Sequence, residues 1–110
     1  MTDVTPGDPA VVVLAGELDL ADAPAMSARL QAAAEPTGRV IVDLHGVTFI
    51  DSTAIGALVG VRRALHERGG AMVLRRPSRA VARLLELTAL DRLFLIEDPE
   101  DDDPDVVGEV

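Results

Sequence analysis

Short apolar runs rich in β-branched residues alternate along this chain with longer stretches of helical spacing. Ala10 to Leu14 (AVVVL) predicts a strand. Gly16-Glu17-Leu18-Asp19 is expected to turn the chain out of it, and a helix to follow from about Asp22. Asp22 can cap that helix, Pro24 suits an early position, and Met26, Leu30 and Ala33 or Ala34 recur on one helical face. Pro36 and Gly38 end it. Arg39 to Leu44 (RVIVDL) is apolar at most positions, as in a strand buried on both faces. His45-Gly46 is expected to break this run, after which Val47 to Ile50 carries the chain to Asp51.

A second helix is predicted from about Ser52 to Arg68, with Ile55, Leu58, Val59, Arg62, Leu65 and His66 on one stripe and Gly69-Gly70 as its stop. Ala71 to Leu74 (AMVL) reads as a strand. Ser78 can cap a third helix with Val81, Leu84, Leu85 and Thr88 on its core face. Asp91-Arg92 makes a turn, and Leu93 to Ile96 (LFLI) is the last strand. This alternation predicts an α/β layer: one sheet covered mainly by helices. Residues 1–9, broken by Pro6, Gly7 and Pro9, read as a flexible lead-in, 10–98 as the folded domain, and 99–110 as an acidic, disordered tail.

Composition narrows the function classes. At 48% apolar the chain can bury a core, but with Phe49 and Phe94 its only aromatics that core must be aliphatic. The net charge of −9 is concentrated at one end, since residues 97–110 hold eight acids and no base. The near-neutral body offers no basic footprint and almost no rings for base stacking, which argues against nucleic-acid binding. Without cysteine there is no disulfide, thiolate metal site or cysteine nucleophile. No leader of basic then apolar residues is visible, and no run reaches the length of a membrane span. The expectation is a cytoplasmic protein, a monomer or weak dimer, with no cofactor.

The chemistry worth weighing gathers at Asp51-Ser52-Thr53, where a strand hands over to a helix N-terminus. One reading is capping, since all three residue types are good N-caps. The other is that Ser52 accepts a phosphoryl group, whose added negative charge a helix N-terminus accommodates and which beside Asp51 would repel an acidic or close-fitting partner. The small residues that follow include Gly56 and Gly60, each costing about 1 kcal/mol inside a helix relative to Ala. Either close packing of helix on sheet or close approach of a partner's backbone can offset that cost. Asp19, Asp43 and Asp51, all near predicted strand ends, raise the possibility of a Mg²⁺ site or an aspartyl-phosphate receiver, but the receiver needs a Lys and the chain has none. His45 and His66 lack metal-ligand spacing, and neither a G-x-S-x-G elbow nor a Gly-rich loop ending in Lys-Ser/Thr occurs. No complete catalytic constellation is present, so the chain is not expected to be an enzyme, and a phosphorylated Ser52 would need a separate kinase.

Three segments, GELDLADAP at 16–24, VIVDLHGVTFIDSTAIGAL at 40–58 and LLELTALDRLFLIED at 84–98, resemble the STAS domain family, and within it the short bacterial anti-sigma factor antagonists. The resemblance implies a small mixed β-sheet packed with α-helices. It also implies partner switching: the unphosphorylated protein binds an anti-sigma factor that is a serine kinase and so releases a sigma factor, phosphorylation stops binding, and a phosphatase resets the cycle. Carried over, Ser52 is the phosphoacceptor, and Asp19, Asp51, Thr53, Ala54 and Gly56 contribute to partner binding. Two departures stand out. Ala54 occupies a position where the family commonly has Gly, and an acidic, proline-broken segment follows Ile96 where members often carry an amphipathic helix. The competing reading is a non-switching STAS scaffold subunit of a signalling assembly or transport system, with Ser52 only a cap.

Overall fold

In the computed structural model, residues 9–98 are described. The expected lead-in, Pro9 apart, and the acidic tail lie outside the described residues. The elements run β1 (Ala10–Leu18), α1 (Ala23–Ala34), β2 (Arg39–Ile50), α2 (Ser52–Glu67), β3 (Ala71–Arg75), α3 (Arg79–Leu87), a short 3₁₀ turn (Leu90–Arg92) and β4 (Leu95–Glu97). The four strands lie side by side in chain order, and all three pairings are parallel. Parallel neighbours require crossover connections, and α1, α2 and α3 supply them. The expected α/β layer is therefore present, and the antiparallel pairing that a mixed sheet contains is not among the described strands.

Two expected breaks are instead continuous strand. β1 runs through Gly16-Glu17 to Leu18, and β2 runs through His45-Gly46 to Ile50, because the two strands keep pairing: Ala15 lies opposite Gly46, Gly16 opposite Val47 and Leu18 opposite Ile50. The ladder slips register on either side of this point, and Gly16 takes a φ of +79° that other residues adopt only with strain. Gly46 serves the close approach, since a Cβ there would come within 3.1 Å of the Ala15 side chain. The glycines thus mark bulges in a long strand pair, not its end.

The core lies between the helices and one face of the sheet. Val12, Leu14, Val42, Leu44 and Leu74 point into it from the strands, and Leu30, Leu58, Leu65, Val81 and Leu85 from the helices. On α2 the buried stripe is Ala54, Ile55, Leu58, Val61 and Leu65, so the inward face is rotated from the expected one: Val59 and Arg62 are half-buried and His66 is exposed. On α3 Val81 and Leu85 are buried and Leu84 packs beside them. Thr88 is exposed, and its hydroxyl donates to the Leu84 carbonyl at 2.7 Å as the helix ends. Ser78 caps α3 as expected, its Oγ accepting from the Val81 N–H at 3.3 Å. β4 begins two residues later than expected, because Phe94 is buried in the core ahead of it.

Candidate functional site

The end of β2 delivers the chain to Asp51, whose extended backbone places it at the N-cap of α2. Its carboxylate makes two bonds of different reach. Oδ1 accepts from the Ala54 N–H at 2.9 Å, which caps the helix, and Oδ2 accepts from the Leu20 N–H at 3.1 Å, from a loop 31 positions earlier. The Asp51 N–H itself donates to the Leu18 carbonyl at 3.1 Å. One side chain therefore ties the start of α2 to the loop leaving β1.

That loop is braced from within. Asp19 Oδ1 accepts from the Ala21 N–H, and the Asp19 N–H donates to Asp22 Oδ2, both at 3.0 Å. Asp22 stands at the N-cap position of α1, but its carboxylate makes no cap bond there. It folds back to Asp19 instead. The result is a rigid turn that presents Leu20, 68% exposed, beside the N-terminus of α2. The sequence analysis passed over Leu20; its only local signal is an isolated apolar residue in a turn between two acids.

Ser52 and Thr53 occupy the first turn of α2, and both are exposed. Because Asp51 does the capping, the Ser52 hydroxyl is not committed to the backbone. It lies where unpaired N–H groups and the positive end of the helix dipole favour added negative charge. Ala54, expected at the partner surface, is fully buried, and its N–H is taken by Asp51. Its methyl turns into the core, so the departure from glycine here alters packing under the site and not the exposed surface.

Gly56 and Gly60 follow Ser52 at intervals of four on the outer face of α2, and both are exposed. A Cβ at either would meet nothing within 4 Å. Close packing of helix on sheet, one of the two readings of these glycines, is thereby removed: no neighbour among the described residues requires them.

The carboxylates that were candidates for a metal site divide. Asp19 and Asp51 share the loop around Leu20, whereas Asp43 lies seven positions before Ile50 on β2. Asp43 is 6% exposed and fully engaged, accepting from the His45 N–H at 3.0 Å and from Arg76 Nη2 at 2.9 Å. Burial pushes its carboxyl up, but the His45 N–H and the hydrogen bond and charge of Arg76, with the charge of Arg75, outweigh that and hold it below the usual carboxylate range. Among the described residues no group of three or more His, Cys, Asp or Glu could hold a metal ion, and no helix is long and apolar enough to cross a membrane.

Comparison with known proteins bears on the family and the fold. The family model described as the Mlab STAS domain matches residues 1–97. The anti-sigma-B factor antagonist of Bacillus subtilis is 33% identical over 79 residues, 72% of each chain. Among solved structures, an anti-sigma factor antagonist from Mycobacterium paratuberculosis superposes with a TM-score of 0.72 at 28% identity, over 94% of this chain and 86% of that one. The anti-sigma factor antagonist SpoIIAA in its unphosphorylated form gives 0.67 at 25% identity, over 94% and 93%.

Proposed function

This chain belongs to the STAS domain family, and on that premise we propose that it is an anti-sigma factor antagonist switched by phosphorylation of Ser52. The observation that carries the reading is the division of labour at the start of α2: Asp51 holds the helix while the neighbouring Ser52 hydroxyl stays exposed. In this reading the unphosphorylated protein acts in the cytoplasm as a regulatory binding protein. It engages an anti-sigma factor that is also a serine kinase, and a sigma factor is released. A phosphatase restores the unmodified form.

The partner surface comprises Ser52, Thr53 and Gly56 on α2, with Asp19 and Asp51 framing it from the loop side. The bare helix face at Gly56 supports the remaining reading of the glycines, that a partner's backbone comes close there. Phosphoserine at 52 would add about −1.5 to −2 charges next to two carboxylates. The helix terminus tolerates that charge, so the fold survives, but a partner shaped to the uncharged surface is repelled. The modification acts on binding and not on folding.

Incubation with the cognate kinase and ATP should place one phosphate on the wild-type protein and none on Ser52→Ala. Phosphate on the Ser52→Ala protein at another mapped position would refute the assignment. Ser52→Asp should keep the fold and lose affinity for the kinase. Equal affinity of the two proteins in a titration would favour the scaffold reading.

A further inference from the structure

The turn between β1 and α1 has every backbone donor committed. The Asp19 N–H donates to Asp22 Oδ2, the Leu20 N–H to Asp51 Oδ2 and the Ala21 N–H to Asp19 Oδ1. The Asp22 N–H reaches the Asp19 carbonyl at 3.0 Å, and the Ala23 N–H the Leu20 carbonyl at 3.4 Å. Three carboxylates therefore brace one short turn, and Asp22 forgoes the cap bond of α1 to take part. A lone exposed leucine is ordinary on a protein surface. Leu20 is set apart by this bracing: the turn holds its side chain out, 68% exposed, and its backbone is bonded to the residue next to Ser52.

We propose that Leu20 is the apolar anchor of the partner surface, entering a hydrophobic pocket that the Ser52 kinase carries beside its phosphoryl-transfer site. The inference rests on the reading of Ser52 as phosphoacceptor and adds to it what the kinase recognises. Position supports it. A stable interface takes about 800 Å² per partner, a patch roughly 16 Å in radius. The Leu20 N–H lies 3.1 Å from the side chain of Asp51, so a partner centred on Ser52 covers this turn. Chemistry supports it as well. With its N–H groups taken, the turn has no backbone donor to offer, and its exposed residues are Leu20 and Ala21. What a partner meets there is an apolar side chain. Rigidity makes that contact count, because a turn fixed before binding loses little freedom on docking. Full burial of a leucine is equivalent to roughly tenfold to a hundredfold in affinity.

The test compares full-length Leu20→Ser, Leu20→Met and Leu87→Ser as substrates of the kinase that phosphorylates the wild-type protein. Leu87 is 74% exposed, but it ends α3, which returns the chain to the opposite end of the parallel strands from Ser52. Leu20→Ser should raise KM about tenfold or more with kcat and Tm unchanged. The rise should be the same at low and high salt, since an apolar contact is not screened. Leu20→Met, flexible and still apolar, should recover most of the loss, and Leu87→Ser should match the wild type. A Leu20→Ser KM equal to that of the wild type, with phosphate still placed on Ser52, overturns this inference alone. An equal rise in Leu87→Ser overturns it too, as does faster amide exchange at Ala21 and Asp22 with Leu20→Met equally impaired, because the turn and not the side chain is then what the kinase needs. Wild-type protein that takes no phosphate on Ser52 overturns the phosphoacceptor reading and this inference with it.

Discussion

Asp51 can be tested by a substitution that keeps one of its two bonds. Asparagine caps helices about as well as aspartate, but its side chain has a single acceptor oxygen and a donor nitrogen. Asp51→Asn can therefore retain the bond to the Ala54 N–H only by turning its nitrogen towards the Leu20 N–H, which needs an acceptor. A hydrogen bond to a charged group contributes about 1.5–3 kcal/mol, and more typical ones about 0.5–1.5. The Leu20 bond is exposed and water can replace it in part, so a loss of about 1 kcal/mol is expected. For a domain of this size that lowers the Tm by about 4–8 °C. Asp51→Ala loses the cap as well and should cost about 2–3 kcal/mol. Thermal melts give the magnitudes, and amide hydrogen exchange locates them. In Asp51→Asn the Leu20 amide should exchange faster while Ala54 stays protected. The kinase should also phosphorylate this variant more slowly, since the loop that carries Asp19 and Leu20 is slackened while Ser52 is untouched. An Asn variant that melts with the wild type and leaves Leu20 exchange unchanged would refute the argument that one carboxylate couples loop and helix.

Two further substitutions separate stability from binding. Gly56→Ala places a methyl in open space and should stabilise the protein by about 1 kcal/mol through helix propensity, yet weaken kinase binding; unchanged affinity in a titration would remove Gly56 from the partner surface. Asp43→Asn should destabilise at pH 7 by about 1.5–3 kcal/mol, towards the low end because the Arg76 side chain is 35% exposed. The Asp43 carboxyl is held below its ordinary value near about 3.9, so its contribution is complete above that pH and is lost as the pH falls through the lower folded value. The difference in urea midpoint between wild type and Asp43→Asn should hold from pH 7 to about 4 and then close; a gap that persists at lower pH would contradict the ion-pair account.

Local pattern was enough for the order of elements. β-branched runs at Ala10 to Leu14 and Ala71 to Leu74, the spacing of Met26, Leu30 and Ala34, and the cap at Ser78 carry their structure in adjacent residues, because helix and strand periods and end signals are set over a few positions. The matched segments around GELD and DST placed the chain in its family and pointed to Ser52, a role that helix-end chemistry alone left open between cap and switch. Tertiary structure decided what depends on distant neighbours. Gly16 and Gly46 read as breaks, and only the pairing of β1 with β2 made them bulges in continuous strands. The inward face of α2 rotated from the expected stripe because the sheet and α1 chose which side to bury, which turned Ala54 inward and left Gly56 bare. Asp, Ser and Thr can each cap a helix, so the sequence left their order undecided. The carboxylate of Asp51 took the task because the strand end aims it both at the Ala54 N–H and at a loop 31 positions away. A contact across that distance has no local period to announce it; the cap bond beside it, from the Ala54 N–H to the same carboxylate, is what leaves the Ser52 hydroxyl uncommitted.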